Sequence, residues 1–249
     1  MATITSRQNP LFRTLLKLKK DKGVMLLEGR RLVEDALSRG VTPRLIAATP
    51  AFLDEHDLFV PSEVVLSDAL LAGIAETEAP QGVLGFFEVP WVQADDITGE
   101  ERLVILDGLQ DPGNVGTIVR TAEAFGFTGM LITPSTASPF SAKAIRASMG
   151  SCLGLKVARG DVHDVKRLPH RILALAARGS RALSPDLFRG KSAICLGQEA
   201  AGISREILAL SRETVSIPMA GRTESLNVAV AAGIVMACAA GVFGAVEVL

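Results

Sequence analysis

The chain has 249 residues, 48% of them apolar and 21% charged, with a formal net charge of −1. That balance supports a packed globular core; it excludes a disordered chain and any whole-surface affinity for polyanions. The three cysteines (Cys152, Cys195, Cys238) have neither disulfide nor metal-ligand spacing, and His56, His163 and His170 form no HxH or HExxH arrangement, so no metal is expected.

In chain order, residues 1–10 are polar and lack the apolar stretch of an export signal, so a cytoplasmic protein is expected. Basic residues then cluster: Arg7, Arg13, Lys17, Lys19, Lys20, Lys22, Arg30 and Arg31 are opposed only by Asp21 and Glu28. Such segregation suits a surface that meets phosphates, and equally a solvated face. Short apolar runs at 24–27, 45–48 and 83–87 read as strands, with a helix over 30–39 closed by Gly40. Together they predict a small α/β domain over residues 1–88. The polar stretch 89–101, which carries Pro90 and Gly99, reads as a linker.

Beyond it the alternation sharpens, and a parallel α/β domain is expected over 102–249. Residues 103–106 form a continuous apolar run, the signature of a strand buried on both faces. The next helix is placed with Asn114 as its N-cap; Val115, Ile118, Val119, Ala122 and Phe125 form its apolar stripe, with Arg120 opposite. Strands follow at 130–132, 172–175, 193–196 and 214–217, and a last helix from about Ser225. Basic residues gather again between Arg159 and Lys191. Residues 228–246 are uncharged and long enough to span a bilayer. They are rich in Ala and Gly, and Gly233, Ala237 and Gly241 suit close helix packing, so a buried or subunit-interface helix is the expected reading.

Three segments place polar, Gly and Pro residues where buried strands end, the position at which open α/β sheets bind ligands. They are DGLQDPGNVGTIVRTAE (107–123), LGQEAAGI (196–203) and IPMAGRTESLNVAVA (217–231). None is a GxGxxG or GxxxxGK[ST] loop, which removes support for dinucleotide and P-loop sites. Any one alone reads equally as an ordinary strand–turn–helix joint.

In this order and spacing the three segments resemble the motifs of the SpoU/TrmH family of RNA ribose 2'-O-methyltransferases, within the SPOUT superfamily. Residues 146–150 (RASMG) add to that resemblance. Residues 28–36 (EGRRLVEDA) and 78–83 (EAPQGV) are similar to the family's small substrate-binding domain of the L30e type. The resemblance implies a C-terminal sheet closed by a trefoil knot, a homodimer with active sites near the subunit interface, and S-adenosylmethionine as cofactor. By motif position it implies Leu196, Gly197, Ile217, Met219, Ser225 and Leu226 at the cofactor. It implies Asn114, Arg120, Glu199, Ser225 and Asn227 in the catalytic centre, and structured RNA (ribosomal or transfer) as partner. Arg7, Arg13, Lys17, Lys20 and Arg30 are then the RNA-contact candidates.

Methyl transfer to an alcohol is an in-line displacement, so alignment dominates the rate, and the hydroxyl proton must leave as the bond forms. An arginine stays protonated, so Arg120 is read as orienting the nucleotide by its phosphate and favouring alkoxide character electrostatically. The alternative is an exposed helix residue paired with Glu123. Glu199 reads either as a partner of Arg120 or Asn114, or as a charge favoured at the start of a helix over 203–210. Ser225 reads also as the N-cap of the last helix. For the whole chain the competing function is an RNA-binding assembly factor with an inactive enzyme domain.

Overall fold

The computed structural model describes residues 2–56 and 63–242. Two units emerge: Met1–Pro90 with Phe140–Ala142, and Trp91–Pro139 with Lys143–Leu249.

The first unit runs α1 (Pro10–Leu18), β1 (Val24–Glu28), α2 (Arg30–Ser38), β2 (Pro43–Ala48), α3 (Pro50–Glu55), β3 (Glu63–Val65), α4 (Asp68–Ala72) and β4 (Val83–Glu88). Its sheet has the order β1-β4-β2-β3, with β4 antiparallel to both neighbours and β2 parallel to β3. Asn9 caps α1 by accepting from the Leu11 N–H, and Pro10 fits the first helical position because no partner awaits its missing N–H. Burying Phe12 and Leu15 turns Arg13 and Lys17 outward, and Lys20 is exposed just beyond the helix. Inside β4 only glycine fits at Gly85, where a Cβ would stand 2.3 Å from the Phe87 ring.

The second unit begins with β5 (Trp91–Val92) and β6 (Arg102–Asp107), then α5 (Pro112–Ala124), β7 (Gly129–Ile132), α6 (Ala142–Ser148), β8 (Lys156–Arg159), α7 (Val162–Arg167) and β9 (Arg171–Leu175). It continues through β10 (Arg181–Ala182), β11 (Ser192–Gly197), α8 (Arg205–Leu210), β12 (Glu213–Ser216) and α9 (Val228–Ala239). The sheet order is β10-β12-β9-β11-β6-β7-β8-β5, and every pairing is parallel. Parallel neighbours need crossovers, and most of these connections carry a helix. Leu103, Ile105, Ala193, Cys195 and Ile172 point to one face, where they bury Val165 and Ile207. On the other side α5 packs against α9, and α9 reaches β11. All three cysteines are free and buried, and desolvation pushes the Cys195 thiol well above its usual range.

Three expectations need correction. Residues 91–101 are not a linker: Trp91–Val92 is an edge strand, and Ala94–Ile97 is a 3-10 turn whose Ala94 and Ile97 enter the core. The polar residues misread as linker are its cap, since the Gln93 N–H donates to Asp96 Oδ2 at 2.9 Å. The second correction is the start of α5. Its N-cap is Asp111, which accepts from the Gly113 and Asn114 N–H groups, with Pro112 at the first position; Asn114 lies inside the first turn with its side chain released. The third is the last helix, capped by Asn227 rather than Ser225. At 12 residues α9 is about 18 Å long, and no helix among the described residues is long and apolar enough to cross a membrane. The part of the uncharged run from 243 onward lies outside the described residues.

Candidate active site

At the carboxyl end of β11 the chain reverses tightly: Gln198 and Gly202 exchange backbone hydrogen bonds of 3.1 and 2.9 Å, with Gly202 at φ +71°. Gly197 has no room for a side chain, since a Cβ there would lie 2.3 Å from the Gly202 carbonyl carbon and 2.4 Å from the Ile203 nitrogen. The turn's backbone therefore packs directly on Gly197. The neighbouring strand braces the turn: the buried Asp107 carboxylate at the end of β6 accepts from the Ser204 N–H at 2.7 Å. Next to it Gly108 (φ +75°) donates its N–H to the hydroxyls of Thr133 and Thr136.

The carboxyl ends of β9 and β11 and the segment after β12 frame a cavity of about 630 Å³. Leu196, Gly197, Ile217, Met219, Ser225 and Leu226, the six residues expected at a cofactor, all line it, and so do Glu199 and Asn227. Sequence reasoning missed Leu175, Ala176 and Ala177 at the end of β9, together with Ile203 and Leu208. The strand-end rule points to the β9 residues, which run into Arg178, Gly179 and Ser180 but lie outside the three motif segments.

At its rim a directed chain of hydrogen bonds joins three distant parts of the sequence. The Asn227 amide donates to Asn114 Oδ1 at 3.1 Å, and the Asn114 amide donates to Glu199 Oε1 at 2.5 Å. Each orientation follows from the next. A carboxylate only accepts, so Asn114 turns its NH₂ to Glu199 and its oxygen to Asn227. Asn227 keeps its own oxygen for the Ala229 and Val230 N–H groups at the start of α9. Asn114 is set in turn by Asp111, whose carboxyl is held below its usual range first by the Lys143 ammonium, 2.5 Å away, and then by the capped N–H groups. Glu199 thus serves as a partner for Asn114, and α8 has Ser204 as its N-cap.

Arg120 stands apart. It is exposed on α5, six residues or about 9 Å of helix axis beyond Asn114, and no hydrogen bond joins it to Asn114, Glu199 or Asn227. In the first unit Arg7, Arg13, Lys17 and Lys20 are exposed. Arg30 is engaged on its own helix, with Nε 2.6 Å from Glu34 and a guanidinium N–H directed at His56 Nδ1, 3.2 Å away. Among the described residues no group of His, Cys, Asp and Glu is placed to hold a metal ion.

Comparison with known proteins agrees with this geometry. The model of the SpoU rRNA methylase family matches residues 101–237, and that of an MRM3-like substrate-binding domain matches residues 13–85. An uncharacterised tRNA/rRNA methyltransferase of Synechocystis sp. is 31% identical, over 95% of this chain and 92% of that protein. A 23S rRNA (guanosine(2553)-2'-O)-methyltransferase of Bacillus subtilis, RlmP, is 29% identical over 95% of this chain and 98% of its own. The crystal structure of an AdoMet-bound rRNA methyltransferase from Sinorhizobium meliloti superimposes with a TM-score of 0.83 at 28% identity, covering 97% of this chain and 98% of that one. Matched over more than half its length by the family model, and nearly end to end by relatives on either side of 30% identity, the chain belongs to the SpoU rRNA methylase family.

Proposed function

We propose that this protein methylates a ribose 2'-hydroxyl in structured RNA, with ribosomal RNA the favoured substrate and S-adenosylmethionine the methyl donor. The observation that carries the reading is the junction of the cavity with the Asn227–Asn114–Glu199 chain at its rim. The residues present fit the cofactor. A volume of about 630 Å³ is that of a small-molecule site. Its apolar walls (Leu196, Ile217, Met219, Leu226) suit an adenine ring, and Gly197 brings main chain to the cavity wall. When bound, the cofactor supplies an electrophilic methyl carbon on a sulfonium.

What remains for the protein is alignment and charge. Asn114, Glu199 and Asn227 form a preorganised polar rim that holds the acceptor ribose, so little reorganisation accompanies the reaction. Arg120 steadies the nucleotide by its phosphate and favours negative charge on the attacking oxygen. Because Arg120 lies off the rim in a single chain, the reading has it act across a subunit interface. The protein is a homodimer in this proposal, joined through α5 and α9. Helix α9 carries no charge, and Val230 on it is 53% exposed. The exposed Arg7, Arg13, Lys17 and Lys20 give the first unit a phosphate-facing side. The C-terminal sheet threads a trefoil knot on the same reading, as the family resemblance implies.

Mixed dimers test the arrangement. Arg120→Ala and Asn227→Ala proteins, each inactive alone, are expected to regain a substantial part of wild-type methyl transfer once co-assembled, because one composite site is then intact. A mixture as inactive as its parents contradicts the cross-subunit role.

Asn227 has two tasks, and two substitutions separate them. Asn227→Asp keeps the capping oxygen and loses the amide that donates to Asn114, so methyl transfer is expected to fall about tenfold or more with the melting temperature nearly unchanged. Asn227→Ala loses both, and the lost cap, worth about 1 kcal/mol, lowers the melting temperature by roughly 2–4 °C. Thermal melts beside initial rates check both.

A further inference from the structure

We propose that the amino-terminal edge of the large sheet holds an oxyanion site, formed by Arg102, Ser192 and Arg171, which receives one phosphate-type group. These are the first residues of β6, β11 and β9. They stand in register, Ser192 paired with Arg102 on one side and Arg171 on the other. Register partners on adjacent parallel strands project to the same face roughly 5 Å apart, so the side chains of Arg102 and Arg171 leave the sheet on either side of Ser192. Their sequence neighbours Leu103, Ala193 and Ile172 point the opposite way, into the core cluster with Val165 and Ile207. The Arg102–Ser192–Arg171 row therefore lies on the α5/α9 side. Ser192 opens the strand that Gly197 closes at the cofactor cavity, about 17 Å away. The two sites are separate.

The unmatched atoms point to a ligand. Ser192 is 1% exposed and its hydroxyl meets no hydrogen-bond partner among the described residues; Nε and Nη2 of Arg171 are buried and also have none there. A guanidinium does not shed its proton, and burying two of its nitrogens without an acceptor is unfavourable. Guanidinium forks beside a hydroxyl make a donor set suited to an oxyanion. Two nearby carboxylates already serve Arg181: Glu213 Oε1 lies 3.0 Å from it and Asp186 3.7 Å. Glu213 Oε2 is buried without a hydrogen bond and is a competitor for Arg171 among the described residues. Free inorganic phosphate and a phosphodiester of an RNA backbone share the chemistry that would satisfy the row.

Thermal unfolding of the full chain in chloride buffer at fixed ionic strength, titrated with inorganic phosphate or with a short duplex RNA, tests the site. Phosphate is expected to raise the wild-type melting temperature saturably, by about 3–6 °C at ten times its dissociation constant. Arg171→Met and Ser192→Ala are each expected to remove the saturable part. In chloride alone Arg171→Met is expected to be at least as stable as wild type, since two buried, unbonded guanidinium nitrogens are gone. A saturable rise with RNA but not with phosphate, lost in Arg171→Met, also supports the site and assigns it to a backbone phosphodiester. The proposal is overturned if neither ligand gives a saturable rise, or if the rise persists in both variants (an adventitious ion only). A loss of stability on Arg171→Met equal in both buffers, as a direct Arg171–Glu213 ion pair would give, also overturns it.

Discussion

Replacing Arg120 with alanine is expected to lower methyl transfer by about two to three orders of magnitude, while the affinity for S-adenosylmethionine stays within about twofold of wild type. The separation of the two effects follows from position. Arg120 is exposed on α5 and lines no part of the cavity that Gly197, Ile217 and Leu226 enclose, so nothing that would bind the cofactor is disturbed. Its proposed task begins only when the nucleotide arrives and negative charge gathers on the attacking oxygen, and a fixed cation contributes most at that stage. Arg120→Lys keeps the charge but loses the planar fork, so partial activity is expected. Titration calorimetry with the cofactor beside single-turnover rates separates the two quantities. Unchanged turnover in Arg120→Ala would remove the residue from the mechanism.

Gly197→Ala is expected to do the reverse and act on the cofactor. The added Cβ would meet Gly202 and Ile203 backbone atoms at 2.3–2.4 Å, so either β11 or the turn behind it must move. Backbone atoms cannot swing aside as a flexible side chain does. Overpacking of this kind costs typically 1–3 kcal/mol, and here it falls on the cavity wall, so cofactor affinity is expected to drop about 100-fold. Gly221→Ala in the loop between Met219 and Ser225 is the control, because a Cβ there meets nothing within 4 Å. Equal loss of affinity in both variants would mean that the cavity tolerates no change at all, and the specific argument about Gly197 would fail.

How much of this was legible in the sequence differs from residue to residue. Continuous apolar runs located β6, β7, β9 and β11 within a residue or two, because a strand buried on both faces has few other ways to be written. The motif segments also contained the rim. Glu199 and Asn227 lie 85 and 113 residues from Asn114 along the chain, yet meet it because each follows a strand end at the same edge of the sheet. Caps were harder to read. Asp111-Pro112 and Asn114 both satisfy the local signals for a helix start, and only the fold shows that Asp111 holds the N–H groups and frees Asn114. Residues 91–101 misled for a related reason: their polar side chains cap a turn while Ala94 and Ile97 supply its buried side. Arg30 was grouped with the free basic residues, yet Glu34 one helical turn on holds it, and its second partner, His56, is 26 residues away. In the proposed dimer the place of Arg120 depends on a second copy of the chain, which periodicity within one chain does not encode.

The central claim is that distant stretches of the second unit fold into one pocket presenting a methyl donor to a sugar oxygen. Incubating the protein with ribosomal RNA and S-adenosylmethionine carrying a deuterated methyl group, then digesting the RNA and locating the label by mass spectrometry, tests it most directly. The account predicts label on a ribose, at a linkage that resists alkali because its 2'-oxygen is blocked. Label on a base, or RNA left unlabelled by protein that binds the cofactor, would contradict it.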